Sequence, residues 1–148
     1  MIDLENQTKM KIELFKLEKI AHILSDREVE LIVTDDKTMQ KLNSEHRGKK
    51  SSTDVLSFPI EIPFTDTQQC VSDMPLGSIV VSENYVLKKA QELGHDVQDE
   101  LSLLFIHGML HLLGFDHEKD QGEMRSKEKE LIEVFDLPKS LIVRTEED

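Results

Sequence analysis

Leu101-Ser102-Leu103-Leu104-Phe105-Ile106-His107-Gly108-Met109-Leu110-His111-Leu112-Leu113-Gly114 is the stretch that decides how this chain folds. Its leucine, isoleucine, phenylalanine and methionine side chains leave no polar face, so the run from about Val97 to Leu113 reads as a helix buried at the centre of a domain. Gly114 can take the left-handed conformation that stops it. Two histidines interrupt this apolar surface, His107 and His111, four apart and therefore on one helical face. His117 follows six residues later, past the glycine, where a reversal of the chain lets a third imidazole approach from outside the helix. Two buried imidazoles must find polar partners, and one metal ion satisfies both at once. Three neutral imidazoles plus one water describe a catalytic zinc site, since a structural site closes its fourth position with protein. The competing reading makes His107 and His111 hydrogen-bonded core residues and His117 a surface residue.

Outward from this helix the pattern alternates. Met10, Leu14, Phe15, Leu17, Ala21 and Leu24 predict an amphipathic helix over 9–24, and Glu28 to Thr34 ends in the β-branched run of a strand. Asp35 or Asp36 can cap a short helix carrying Met39 and Leu42, before a loop from Arg47 to Ser52. Thr53 to Phe58 predicts a second strand ended by Pro59, and Gly77 to Val81 a third. Ser82 caps a helix over about 83–93 that closes at Gly94. Between Pro59 and Pro75 no period is visible, so a long loop is expected. A charged helix from about Gly122 to Phe135 precedes Pro138 and an acidic tail over about 138–148. The expected fold class is α+β (mixed α/β): one domain over 1–148, with a small mixed four-stranded sheet packed with helices.

Composition narrows the function. The 148 residues hold 18 Lys+Arg against 30 Asp+Glu, a formal net charge of −12. Residues 1–59 carry net −1 and residues 60–148 carry net −11. General attraction to polyanions is therefore excluded, and any contact with nucleic acid must be local. The tight basic cluster is Arg47, Lys49 and Lys50, whose plain reading is a solvated loop. The longest apolar run near the centre, Leu103 to Ile106, is far short of the roughly 20 residues that span a bilayer. The first residues lack the basic and apolar regions of a secretory signal, and one cysteine, Cys70, permits no internal disulfide. Both features lead to the expectation of a cytoplasmic protein.

The histidine spacing is similar to the metzincin pattern H-E-x-x-H-x-x-G-x-x-H, with Gly114 at the matching glycine. Gly108 stands where those peptidases carry a glutamate, so the base that activates their water is missing. A closer resemblance covers roughly residues 30–135. His107-Gly108-Met109-Leu110-His111-Leu112-Leu113-Gly114-Phe115-Asp116-His117 resembles the signature H-G-x-L-H-L-x-G-[YF]-D-H of the bacterial YbeY endoribonuclease family. Leu42-Asn43-Ser44-Glu45-His46-Arg47, followed by Thr53 to Pro59, resembles that family's L-N-x-x-[YF]-R and T-D-V-L-S-F-P block. Leu76 to Ser82 resembles its L-G-D-I-x-I-S strand. His46 replaces the usual aromatic and Ser78 the usual aspartate.

The resemblance implies a single-strand-specific, zinc-dependent endoribonuclease acting in ribosomal RNA processing, in 16S 3′-end maturation and in ribosome quality control. One Zn²⁺ per chain would be held by His107, His111 and His117 in a metzincin-like site on the buried central helix. Arg47 is the candidate catalytic residue, because a guanidinium meets phosphate in a bidentate way. Lys49 and Lys50 are candidates for tracking the RNA backbone. Asp116 is either an acceptor for the second ring N–H of a ligand histidine or a turn residue beside Gly114. The implied partners are single-stranded ribosomal RNA, the small ribosomal subunit and ribosome-associated proteins. Two other functions fit the same residues: a zinc hydrolase of a peptide or ester bond, and a non-enzymatic ribosome-associated zinc module.

Overall fold

Ile79, Val80 and Val81 are consecutive apolar residues, a pattern that fits only a strand covered on both faces. In a computed structural model, which describes residues 2–47, 54–60, 74–116 and 119–137, that strand is central. The element order is β1 (Ile2–Asn6), α1 (Leu14–Leu24), β2 (Val29–Thr34), α2 (Asp36–Arg47), β3 (Val55–Pro59), β4 (Gly77–Ser82), α3 (Glu83–Leu93), α4 (Val97–Leu112) and α5 (Glu123–Val134). The sheet runs β1-β2-β4-β3. β1 is parallel to β2 and β2 to β4, with Leu31 opposite Ile79, while β3 runs antiparallel to β4, with Ser57 opposite Ile79. The fold class is α+β with a mixed four-stranded sheet, as the alternation predicts.

Each sheet face buries one set of alternating side chains. Val29, Leu31, Val33, Ile79 and Val81 belong to the main core with residues of α1, α3, α4 and α5. Val80, Leu56 and Met39 form a smaller core on the face covered by α2. α4 touches β3, β4, α1, α3 and α5, and this explains its apolar surface: no side of the helix meets water along most of its length.

The differences from expectation have local causes. β1 was not foreseen: it is a five-residue edge strand with only Ile2 and Leu4 as apolar positions, too few to show a period. Helix α1 starts at Leu14 rather than near Lys9. Asn6 Nδ2 donates to the Met10 carbonyl, and the Asn6 carboxamide oxygen accepts from Thr8, turning the chain after β1. Gln98 on α4 then pins the entry, accepting from the Glu13 amide at 3.0 Å and donating to the Lys11 carbonyl at 2.6 Å. Helix α2 extends through Arg47, where a loop was expected to begin. Asp35 does cap it, accepting from the Thr38 amide at 2.8 Å, and the hydrogen bonds from Thr38 hold the Asp35 carboxyl below the usual range. Ser82 caps α3 and left-handed Gly94 closes it. The expected loop between Pro59 and Pro75, including Cys70, falls largely outside the described residues, as does the tail over 138–148.

Gly77 sets how β3 meets β4. Its φ is +148°, and a Cβ there would lie 2.3 Å from the Phe58 carbonyl oxygen. Gly77→Ala adds backbone strain and forces the strand pair apart at the register Pro59–Gly77, at a cost of about 2–5 kcal/mol. Denaturant unfolding checks this; an unchanged midpoint would refute the close approach.

Candidate metal centre

At Gly108, α4 lies against the sheet. A Cβ at this position would lie 2.7 Å from Ile79 Cγ2, which branches directly from the strand and has no room to withdraw. Ser57 Oγ on β3 donates to the Gly108 carbonyl at 3.3 Å. The residue after the first histidine therefore points into the sheet. A glutamate there would collide with β4, so the metzincin base is absent because the helix packs too close for any side chain.

With that face against the sheet, His107 and His111 are both partly buried on another side of α4. Their rings meet edge to face, with centroids 4.6 Å apart, and the two Nε2 atoms are 3.1 Å from one another. Each Nδ1 has an oxygen partner. His107 Nδ1 lies 3.0 Å from Glu128 Oε1 on α5, and His111 Nδ1 lies 3.0 Å from the Phe115 carbonyl oxygen. A carbonyl oxygen only accepts, so His111 Nδ1 donates to Phe115, and His107 Nδ1 is placed to donate to the Glu128 carboxyl group; in neutral rings the protons then sit on Nδ1. Both Nε2 atoms then present lone pairs to each other at 3.1 Å. A proton or a metal cation shared between them satisfies both. Two nitrogens on one tetrahedral zinc ion stand about 3.3 Å apart. The donor set fits a divalent metal that prefers imidazole nitrogen.

The Phe115 carbonyl is in place because of how α4 ends. Phe115 N donates to the Leu110 carbonyl and Gly114 N to the His111 carbonyl, both at 3.0 Å, with Gly114 at φ +99°. This left-handed turn folds the chain back over the last helical turn, aiming residue 115 at the His111 ring. The backbone carbonyl of Asp116 accepts from Lys119 and Asp120, opening the turn that leads to α5. Asp120 accepts from the Gly122 and Met124 amides and so caps α5.

The structure thus brings His107 and His111 together. Among the described residues no cluster of three or more side chains able to hold a metal forms. His117, Lys49 and Lys50 lie outside the described residues, as does the side chain of Arg47, whose backbone closes α2. Ser78, next to Ile79, points to the opposite sheet face and donates to Glu30 Oε1 at 2.7 Å, so an aspartate at this position would not face the histidines. Glu128 escaped the sequence reading. Met124, Leu131 and Ile132 surround it at helical spacing, and a glutamate on an apolar stripe was the available signal.

Because Gly108 fixes how the histidines stand relative to the sheet, overpacking there is the test of the arrangement. Gly108→Ala is expected to cost about 1–3 kcal/mol. Ile79→Ala removes the colliding atom, so the double variant should lose less stability than the two single losses combined. Strict additivity in that cycle would refute the contact.

The chain as a whole has relatives. The family model described as "Endoribonuclease YbeY" matches residues 2–136. A protein of that name from Sulfurovum sp. (strain NBC37-1) is 56% identical over 99% of this chain and 98% of its own length. One from Wolinella succinogenes is 56% identical over 99% of both chains, and one from Campylobacter jejuni (strain RM1221) is 58% identical over 89% of this chain and 93% of its own. The solution structure of TM1509 from Thermotoga maritima aligns with a TM-score of 0.62 at 29% identity, covering 91% of this chain and 89% of that one. With the family model matching nearly its whole length and relatives of that name 56–58% identical, the chain belongs to the YbeY endoribonuclease family.

Proposed function

We propose that this protein is a single-strand-specific, zinc-dependent endoribonuclease that acts in ribosomal RNA processing, including 16S 3′-end maturation, and in ribosome quality control. The observation that carries the reading is the pair of imidazoles on α4 with both Nδ1 atoms committed and Nε2 atoms 3.1 Å apart. Family membership supports the RNA substrate. His107, His111 and His117 would hold one Zn²⁺, which when bound supplies Lewis acidity at a phosphoryl oxygen. The Phe115 carbonyl keeps the His111 ring in the orientation and tautomer that a ligand needs.

No glutamate base follows His107, and RNA does not require one as a peptide does. The ribose 2′-OH is a nucleophile carried by the substrate itself, adjacent to the scissile phosphate. Arg47, at the end of α2, would pair with the phosphate oxygens as negative charge builds on them, and Lys49 and Lys50 would follow the backbone of the strand. Hydrolysis of a peptide bond is disfavoured by the packing of Gly108, which leaves no room for the carboxylate used by zinc peptidases of similar spacing.

Purified protein incubated with a labelled single-stranded ribosomal RNA fragment tests the reading. Cleavage is expected for the untreated protein and not after chelation. His111→Ala should lose both metal and cleavage, whereas Arg47→Ala should keep the metal and lose at least about 100-fold in rate. Cleavage retained in both variants would overturn the assignment. A 2′,3′-cyclic phosphate on the upstream product is the expected terminus if the 2′-OH attacks.

A further inference from the structure

Only two carboxylates are buried to 2% exposure or less among the described residues, Glu100 and Glu128. Each meets a histidine. Glu100 pairs with His95 Nε2 at 2.8 Å, a contact between neighbours in sequence at the start of α4. Glu128 is different because it joins two elements: it comes from α5 and reaches a histidine of the central helix 21 residues away.

We infer that Glu128 is a positioning residue for the metal centre, one that sets the tautomer of His107 and couples metal affinity to the seating of α5 on α4. The inference rests on the reading of His107 and His111 as metal ligands. Three observations carry it. First, packing does not require a carboxylate at position 128. Met124, Leu131 and Ile132 on the same stripe are fully buried apolar residues, and a hydrophobic side chain is commonly no less stabilising than a buried ion pair. Second, the carboxylate is committed to one use. Oε1 lies 3.0 Å from His107 Nδ1, while Oε2 is buried with no hydrogen-bond partner among the described residues. Third, the two imidazoles are oriented by different means. The partner of His111 is a backbone carbonyl within the turn that ends α4, which no substitution removes. The partner of His107 is a side chain on a separate helix, in place only while α5 lies against α4.

The chemistry follows from these positions. A carboxyl oxygen 3.0 Å from Nδ1 accepts the hydrogen bond from the proton held there, which leaves Nε2 as the metal-ligating atom and makes the ring a stronger ligand. Coupling is reciprocal, so a metal ion that draws on a properly held His107 must also favour the seated position of α5. Lifting or rotating α5 withdraws Glu128 and releases the ring.

Full-length wild type, Glu128→Gln and Glu128→Ala, each stripped of metal, are titrated with zinc alone against a chromophoric chelator at constant pH. Gln keeps the shape and an acceptor oxygen without the charge, and Ala removes both. The expected order of affinity is wild type, then Gln, then Ala, with Ala weaker by about 10–100-fold. Ring ¹⁵N shifts should show His107 protonated at Nδ1 in the wild type and redistributed in Ala, and zinc should slow amide exchange along α5 in the wild type more than in Ala. If Ala does not fold, Gln against wild type decides. Equal zinc affinity in a folded Gln variant and the wild type, with unchanged α5 exchange, overturns the inference and leaves the metal site standing. A folded wild type that binds no zinc overturns both.

Discussion

The contact between Gly108 on α4 and Ile79 on β4 is the constraint on which the rest of this structure depends. A helix that approaches a sheet closely enough to exclude a Cβ is held in rotation as well as in distance, because any other face turned to the strand would bring a side chain into it. Once position 108 faces the sheet, 107 and 111 must share a face of their own. The apolar residues on every other side of α4 complete the burial that keeps the helix there. Helix–sheet packing and ligand geometry are the same fact seen from two sides of one helix.

A buried polar pair on an otherwise apolar helix is costly unless each nitrogen is satisfied, and the fold meets this with groups of different origin. One Nδ1 takes a carbonyl freed by the turn at Gly114, and the other takes a carboxylate delivered by α5. The two Nε2 atoms lie 3.1 Å apart. That proximity suits a shared cation, whether a proton or the proposed metal ion. These are the buried polar atoms that the proposed metal would draw on.

The fold was legible where patterning was long or where both faces were buried. α4 was visible because apolar residues dominate it from Leu101 to Leu112, and β4 because three apolar residues stand in succession. Ser82 and Gly94 marked α3 through cap chemistry that is local by nature. What escaped depended on partners distant in sequence. β1 exists because β2 offers it an edge, and the start of α1 is set by Gln98, whose side chain reaches back from α4. The same division holds at the site. His107 and His111 declare themselves by spacing within one helix, whereas Glu128 is joined to them only by tertiary packing, and an isolated glutamate on an apolar stripe does not say which ring it will meet.

Charge gives the proposed activity its selectivity. A chain with net −12, almost all of it after residue 59, cannot gather RNA by general attraction. Surface charges lose their reach beyond about 8 Å at physiological salt, so an RNA strand feels chiefly what it touches. Under the proposed function the attractive groups are confined to the metal, Arg47 and the lysines that follow it. Under the same reading a rigid duplex would bring more phosphates within reach of an acidic chain than a single strand that can bend. Under the proposed function a preference for single strands would arise from repulsion by the acidic chain around a small attractive site, and raising the salt concentration should then weaken that preference by screening the repulsion.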